Sequence, residues 1–249
     1  MTMPQFHTLP DGRRLAYRHT PGTAPDPVLV FLPGYKSDMA GGKAVALFDQ
    51  ALATGRGCLL LDYAGCGLSD GRFADGTLSR WRDEVLALVD AICPGRPLLL
   101  AGSSMGGWLM LLVALARPHQ VRGLLGIAAA PDFTEWGYDA AQQALLATGE
   151  VLYEDNPYGS EPTPTHPGFW RDGQANRVLG APIAFAGPVH LLHGQRDADV
   201  PWEVALRLAA ALRSDAVQVT LVKDGDHRLS RDPDLALLLR TAEALRAKL

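Results

Sequence analysis

Cysteine is scarce in this 249-residue chain. Only Cys58, Cys66 and Cys93 are present, an odd count with no pair at the C-x-x-C spacing of zinc ligands. The composition therefore argues against a disulfide framework, no metal is expected, and reduced thiols suit a cytoplasmic protein. Long apolar runs are also lacking. The most apolar stretch, 98–116, is interrupted by Gly102, Ser103, Ser104, Gly106 and Gly107, so no membrane span is expected. Residues 1–14 carry Pro4, Pro10, Asp11 and Gly12 and no apolar centre, unlike a secretory signal. Nor is there an excess of positive charge: Lys and Arg number 23 against 27 Asp and Glu, for a net charge of −4. Such a balance supplies no field for holding nucleic acid or an anionic membrane surface. Internal repeats, charge blocks and low-complexity tracts are missing too.

What the chain does have is the material for one large core, with 47% hydrophobic and 20% charged residues. Short apolar runs at 28–32, 58–61, 98–101, 124–128, 189–192 and 217–222 have strand length. Between them, 43–54, 78–92, 104–116, 203–212 and 233–248 carry helical spacing. Thr77 and Asp232 read as helix caps, the latter with Pro233 at the first helical position. Such alternation predicts an α/β fold, a mostly parallel sheet with helices on both faces, spanning 1–249 as a single domain. Ahead of it, 7–9 and 14–18 flank Pro10-Asp11-Gly12, the pattern of an antiparallel hairpin at a sheet edge.

Alternation stops between residues 131 and 187, where proline and glycine accumulate (Pro157, Gly159, Pro162, Pro164, Pro167 and Gly168). An insertion of that length in a compact fold reads as a short lid. Its aromatics Phe133, Trp136, Tyr138, Tyr153, Tyr158, Phe169 and Trp170 either line an acyl pocket or pack the lid onto the body; Phe133, Trp136, Tyr153, Phe169 and Trp170 are the substrate-binding candidates. No acidic cluster for holding a substrate amine stands out in this stretch.

The strongest local signal is Gly102-Ser103-Ser104-Met105-Gly106, directly after an apolar run and directly before a helical one. A G-x-S-x-G elbow turns sharply from strand to helix, so that the central serine stands clear of the sheet. Ser104 thereby sits at a helix N-terminus, which favours developing negative charge. Ser103 has Ala101 and Met105 two residues either side and lacks the glycines of the elbow.

A serine hydroxyl needs a base to become a nucleophile. In an elbow fold the order is nucleophile, acid, histidine, each following a later strand. His227 lies after 217–222 in the polar loop Asp224-Gly225-Asp226-His227-Arg228, the expected last position. His193 ends the preceding strand, and its Gly194 suggests a turn-forming role in the loop that carries the acid. Two aspartates compete for the acid after 189–192. Asp197 lies thirty residues before His227 and is favoured, whereas Asp199 precedes Val200-Pro201 and reads as a cap for the next helix. Asp197 would fix the histidine tautomer. The oxyanion hole would use the backbone N–H groups of Met105 and of Tyr35, the latter in the loop after 28–32, since Pro33 has no N–H. The Tyr35 side chain either packs or meets substrate. Cys66 has no histidine nearby in sequence and reads as a buried turn residue. Asp224 and Asp226 beside His227 read as a turn rather than a metal site.

Four stretches resemble one family: Phe31-Leu32-Pro33-Gly34-Tyr35, the Asp62-Tyr63-Ala64-Gly65-Cys66-Gly67 turn, the elbow continued into Gly107 and Trp108, and the loop around His227. Together with 193–202 they are similar to the α/β-hydrolase superfamily. Within it they resemble the branch of abhydrolase domain-containing protein 10, whose activities are palmitoyl-protein thioesterase and acyl-glucuronide esterase. The resemblance covers most of the chain and is weakest in the lid. It implies an α/β-hydrolase fold, a cofactor-free serine esterase or thioesterase, and Ser104, Asp197 and His227 as triad. The implied partner is a small-molecule acyl ester or thioester, or an acylated protein. Pro33 departs from the histidine that much of the superfamily has before the oxyanion glycine. An Arg- and Ser-rich transit segment is lacking, which is the expectation for a bacterial cytoplasmic relative. Amide or C–C bond hydrolysis by the same triad, and a non-catalytic ligand receptor on the same fold, are the alternatives.

Overall fold

The edge hairpin forms where Pro10-Asp11-Gly12 signals it: β1 (Gln5–Thr8) and β2 (Arg14–Thr20) pair antiparallel, and Gly12 takes a left-handed φ of 87° in the turn. The computed structural model describes residues 3–23, 26–156 and 159–249; Pro157 and Tyr158 of the inserted stretch lie outside the described residues. β2 continues the sheet antiparallel to β4 (Cys58–Leu61). Parallel pairing then runs from β4 through β3 (Val28–Leu32), β5 (Leu98–Ser103), β6 (Val121–Ile127) and β9 (Val189–Gly194) to β10 (Val217–Val222). The eight strands lie in the order β1-β2-β4-β3-β5-β6-β9-β10.

Both faces are covered, which is why the central strands are apolar on both sides rather than alternating. α1 (Gly42–Thr54) and α8 (Asp232–Arg246) bury Leu47, Phe48, Leu238 and Leu245 on one face. α2 (Leu78–Ile92), α3 (Met105–Ala116) and α7 (Glu203–Ala211) bury Trp81, Val85, Trp108, Leu109 and Leu208 on the other. Thr77 caps α2 as its sequence position implies, its hydroxyl accepting from the Arg80 N–H at 3.2 Å.

Four expectations are corrected. β6 starts three residues earlier than 124, because Val121 already pairs with Leu98 across a register shift, although Arg122 and Gly123 break its apolar pattern. β9 runs past 192 through His193 and Gly194, which pair with Leu221 and Val222, so the turn expected at His193-Gly194 comes after Gly194. A Cβ on Gly194 would lie 2.3 Å from the Gly225 carbonyl oxygen, a close approach that only glycine permits. α8 is capped at Arg231, not Asp232; the Asp234 carboxylate reaches back to the Arg231 N–H at 3.1 Å. Asp199 is not the cap of α7, whose N-cap is Trp202 with no side-chain cap hydrogen bond.

The 131–187 stretch holds more regular structure than its proline and glycine content suggests: α4 (Phe133–Trp136), α5 (Ala140–Thr148), the antiparallel pair β7 (Leu152–Glu154) and β8 (Thr163–Thr165), and α6 (Pro167–Ala175). Asp132, buried and with φ 59°, anchors its two ends together by accepting the N–H groups of Val178 and Leu179 at 2.8 Å each.

Candidate active site

The turn from β5 into α3 is made by Ser104 itself, with φ 54° and ψ −121°. For a non-glycine residue this is a strained conformation of order 1–3 kcal/mol. Its neighbours explain how it is held. A Cβ on Gly102 would lie 2.3 Å from the Gly106 oxygen, and one on Gly106 would lie 2.0 Å from the Leu32 oxygen. Bare backbone therefore packs where side chains would collide, and the Ser104 N–H is fixed on the Ile127 oxygen at 3.0 Å. Ser103, one residue back, ends β5.

Two loops at the same end of the sheet bring the other groups. His227, between β10 and α8, has Nε2 3.1 Å from Ser104 Oγ and Nδ1 2.8 Å from Asp197 Oδ2. Asp197 follows β9, and its side chain is 0% exposed. Its Oδ1 accepts the N–H groups of Asp199 and Val200 at 2.9 and 2.8 Å. Burial pushes this carboxyl up, but hydrogen bonds from His193 and His227, with the His227 charge and the Val200 N–H, outweigh burial and hold it well below the usual carboxylate range.

His193 is the residue that sequence reasoning missed. It is fully buried, and its Nε2 lies 3.1 Å from Asp197 Oδ2 and 3.0 Å from the Val200 oxygen. Both neighbours are acceptors, so Nε2 carries the proton. Asp197 Oδ2 is thus shared by two imidazoles. The signal available in the sequence was the spacing of four residues to Asp197; the extent of β9 was not legible. Asp199, the competing acid, lies on the other side of the ring, with Oδ2 4.0 Å from His227 Nε2.

The two residues expected to supply the oxyanion hole, Tyr35 and Met105, lie respectively in the loop packed against Ser104 and directly after Ser104 in the chain. Met105 opens α3, Tyr35 follows β3, and the Tyr63 hydroxyl donates to the Pro33 oxygen at 3.1 Å to fix that loop. Among the described residues, only Asp197, Asp199 and His227 bring three ligand-type atoms within 4.8 Å of one another. The Asp197 oxygens in that group are already engaged by four donors. Cys66 is buried and its thiol is pushed up to about 12 by burial, as suits a turn residue.

A cavity of about 610 Å³ opens over Ser104 and His227. Phe133, Trp136 and Tyr138 from the inserted stretch line it, together with Ala130 and Val200. Three other substrate-binding candidates do not. Tyr153 is 63% exposed on β7 and is not part of the lining, and Phe169, 1% exposed, is consumed by packing on Tyr35, Trp81 and Phe133. Trp170 packs among Tyr138, Leu146 and Leu152, and its indole N–H donates to the Thr134 oxygen at 3.1 Å. Polar groups also line the wall: Asp199 and Arg228, and Lys43, Glu154 and Asp155, which the sequence did not single out. Burial pushes the Glu154 carboxyl up, and burial and then Arg228 push Lys43 down to about 8.

Residues 23–164 match the family model described as serine aminopeptidase, S33. The chain is 39% identical over 243 residues to the mitochondrial palmitoyl-protein thioesterase ABHD10 of Mus musculus, covering 94% of this chain and 80% of the relative. Its structure superposes on that of alpha/beta hydrolase domain-containing protein 10 from mouse with a TM-score of 0.91, at 35% identity and 99% coverage of both chains. A hydrolase from Agrobacterium vitis S4 gives a TM-score of 0.90 at 38% identity, covering 98% of this chain and 99% of that one. No described helix is long and apolar enough to cross a membrane.

Proposed function

The chain belongs to the serine aminopeptidase S33 family of α/β-hydrolases, on the branch that holds the thioesterase ABHD10, and from that premise we propose that it cleaves acyl esters or thioesters through a covalent acyl-enzyme. One observation carries the reading: the hydrogen-bonded series from Ser104 Oγ to His227 to Asp197, at 3.1 and 2.8 Å, opening on a cavity walled in part by aromatic side chains. Ser104 Oγ attacks the acyl carbon while His227 Nε2 takes its proton. Asp197 keeps the other proton on Nδ1 and stabilises the imidazolium that forms. Oxygen charge in the tetrahedral intermediate is met by the Tyr35 and Met105 N–H groups, each worth about 3 kcal/mol of transition-state stabilisation. The imidazolium then protonates the departing alkoxide or thiolate, and water, activated by the same Nε2, releases the acid. No step needs a metal or cofactor.

Phe133 and Trp136 are assigned to the acyl side, and the polar wall with Lys43, Asp199 and Arg228 to the leaving group. An acylated protein reaches such a site through its acyl-cysteine. The reading takes 1–249 as a single domain with 131–187 as its lid, and the three unpaired, buried cysteines suit the cytoplasm or another reducing compartment; the ABHD10 relatives are named as mitochondrial. A second reading, amide hydrolysis, is favoured by one observation: Glu154 and Asp155 of the inserted stretch face the cavity, where a substrate ammonium would pair with them. A series of acyl p-nitrophenyl esters and acyl-thioesters of rising chain length, run beside amino-acid p-nitroanilides, tests the proposal. Ser104-dependent turnover of esters or thioesters with kcat/KM well above the anilides supports it; turnover of anilides alone replaces it with the second reading.

A further inference from the structure

The residue assigned as one oxyanion donor is also the residue that the inserted stretch grips. Tyr35 projects its ring into a cluster made from both sides: Phe73 and Trp81 belong to the body, at centroid distances of 5.0 and 6.3 Å, and Phe133 and Phe169 to the insertion, at 6.2 and 4.7 Å. Its hydroxyl donates to the Pro164 oxygen on β8 at 3.0 Å, and the next residue, Lys36, donates from Nζ to the Pro162 oxygen at 3.4 Å. On the other side, the loop lies directly against the nucleophile. A Cβ on Gly34 would sit 3.3 Å from both the Ser103 oxygen and Ser104 Cβ. Lys36 turns the chain with a φ of 57°, and the Ser37 N–H closes that turn on the Gly34 oxygen at 3.1 Å. The short loop is pinned at both ends, so a displacement of the Tyr35 side chain is carried to its own N–H. Phe133 joins the two functions, since it both lines the cavity and packs on the Tyr35 ring.

We propose that Tyr35 is a positioning residue that couples the insertion to the oxyanion hole, so that an acyl chain resting on Phe133 and Trp136 raises turnover and not only binding. The inference rests on the acyl-hydrolase reading above. Donors must meet the oxyanion at about 2.7–3.1 Å, and contacts remote from the reacting carbon speed the reaction only when they are expressed at that carbon in the transition state. Tyr35 is the route by which a contact to the insertion is expressed there. Longer acyl chains are therefore turned over with higher kcat.

The test compares p-nitrophenyl acetate and octanoate with the wild type, Tyr35→Phe, Phe169→Leu and Ser104→Ala. Tyr35→Phe removes the bond to Pro164 and keeps the ring; Phe169→Leu loosens the ring contact from the insertion at a side chain that does not itself line the cavity. Wild-type kcat is expected to rise from acetate to octanoate. In both variants the octanoate kcat falls about five-fold, the rate equivalent of one neutral hydrogen bond, the acetate kcat falls less, and KM stays within about two-fold. Equal losses on both esters, or a change confined to KM, overturn the coupling, and two variants guard against a folding defect in one. Hydrolysis that survives Ser104→Ala, or a wild type that cleaves neither ester, is a distinct result that refutes the acyl-hydrolase reading and the coupling with it.

Discussion

Replacing Asp197 with asparagine does more than remove a charge, because the surrounding donors dictate how the amide must sit. Oδ1 receives the N–H groups of Asp199 and Val200 at 2.9 and 2.8 Å, so the asparagine carbonyl oxygen takes that position. The amide NH2 is then forced to where Oδ2 faces His227 Nδ1 at 2.8 Å and His193 Nε2 at 3.1 Å. Towards His227 the NH2 donates, which selects the tautomer with its proton on Nε2, and that nitrogen can no longer accept from Ser104. Towards His193 two donors meet with no acceptor between them. The first effect costs roughly 10⁴ in kcat, as expected when a triad histidine is held in the wrong tautomer, or about 5.4 kcal/mol at 1.36 kcal/mol per decade. The second costs about 1–3 kcal/mol of folding stability. Steady-state hydrolysis of p-nitrophenyl butyrate and urea unfolding read the two separately. A kcat within ten-fold of wild type refutes the tautomer argument; unchanged stability refutes the shared-oxygen geometry. Asp199→Asn, at 4.0 Å from Nε2, leaves the tautomer alone and costs far less.

Two further outcomes follow from buried groups away from the triad. Asp132→Ala strands the Val178 and Leu179 N–H groups and lowers unfolding stability by about 3 kcal/mol in urea titration; an unchanged midpoint contradicts the anchoring role. Burial pushes Cys58 and Cys66 up to about 12 and Cys93 to about 11. At pH 8, well below all three values, each thiol keeps its proton, so a disulfide reagent such as DTNB titrates none of them in the native protein and all three in guanidinium; rapid reaction of Cys66 in the folded state speaks against its turn role.

Much of the sheet was legible because the apolar runs at 28–32, 58–61 and 217–222 coincide with strands β3, β4 and β10, each bounded by turn residues that stop an apolar pattern sharply. β6 was misjudged at its start because strand pairing with Leu98 overrides a charged residue and a glycine, and that pairing is a long-range fact. Ser104, Asp197 and His227 were found from their order after strands, and the structure brings the three together. The lining residues were not recoverable in this way. Whether Phe169 faces a cavity or Tyr35 depends on how α6 docks on the body, and aromatic content alone does not encode it. His193 was missed for a related reason: its partner Asp197 lies four residues on, but only the extension of β9 aims the ring inward.

The central claim is that the Ser104 hydroxyl is the nucleophile, made reactive by His227. Treatment with a fluorophosphonate, followed by intact mass and peptide mapping, tests it most directly. A single adduct is expected on Ser104, with none in Ser104→Ala and strongly slowed labelling in His227→Ala. Equal labelling of Ser104→Ala, or an adduct mapped to another residue, contradicts it.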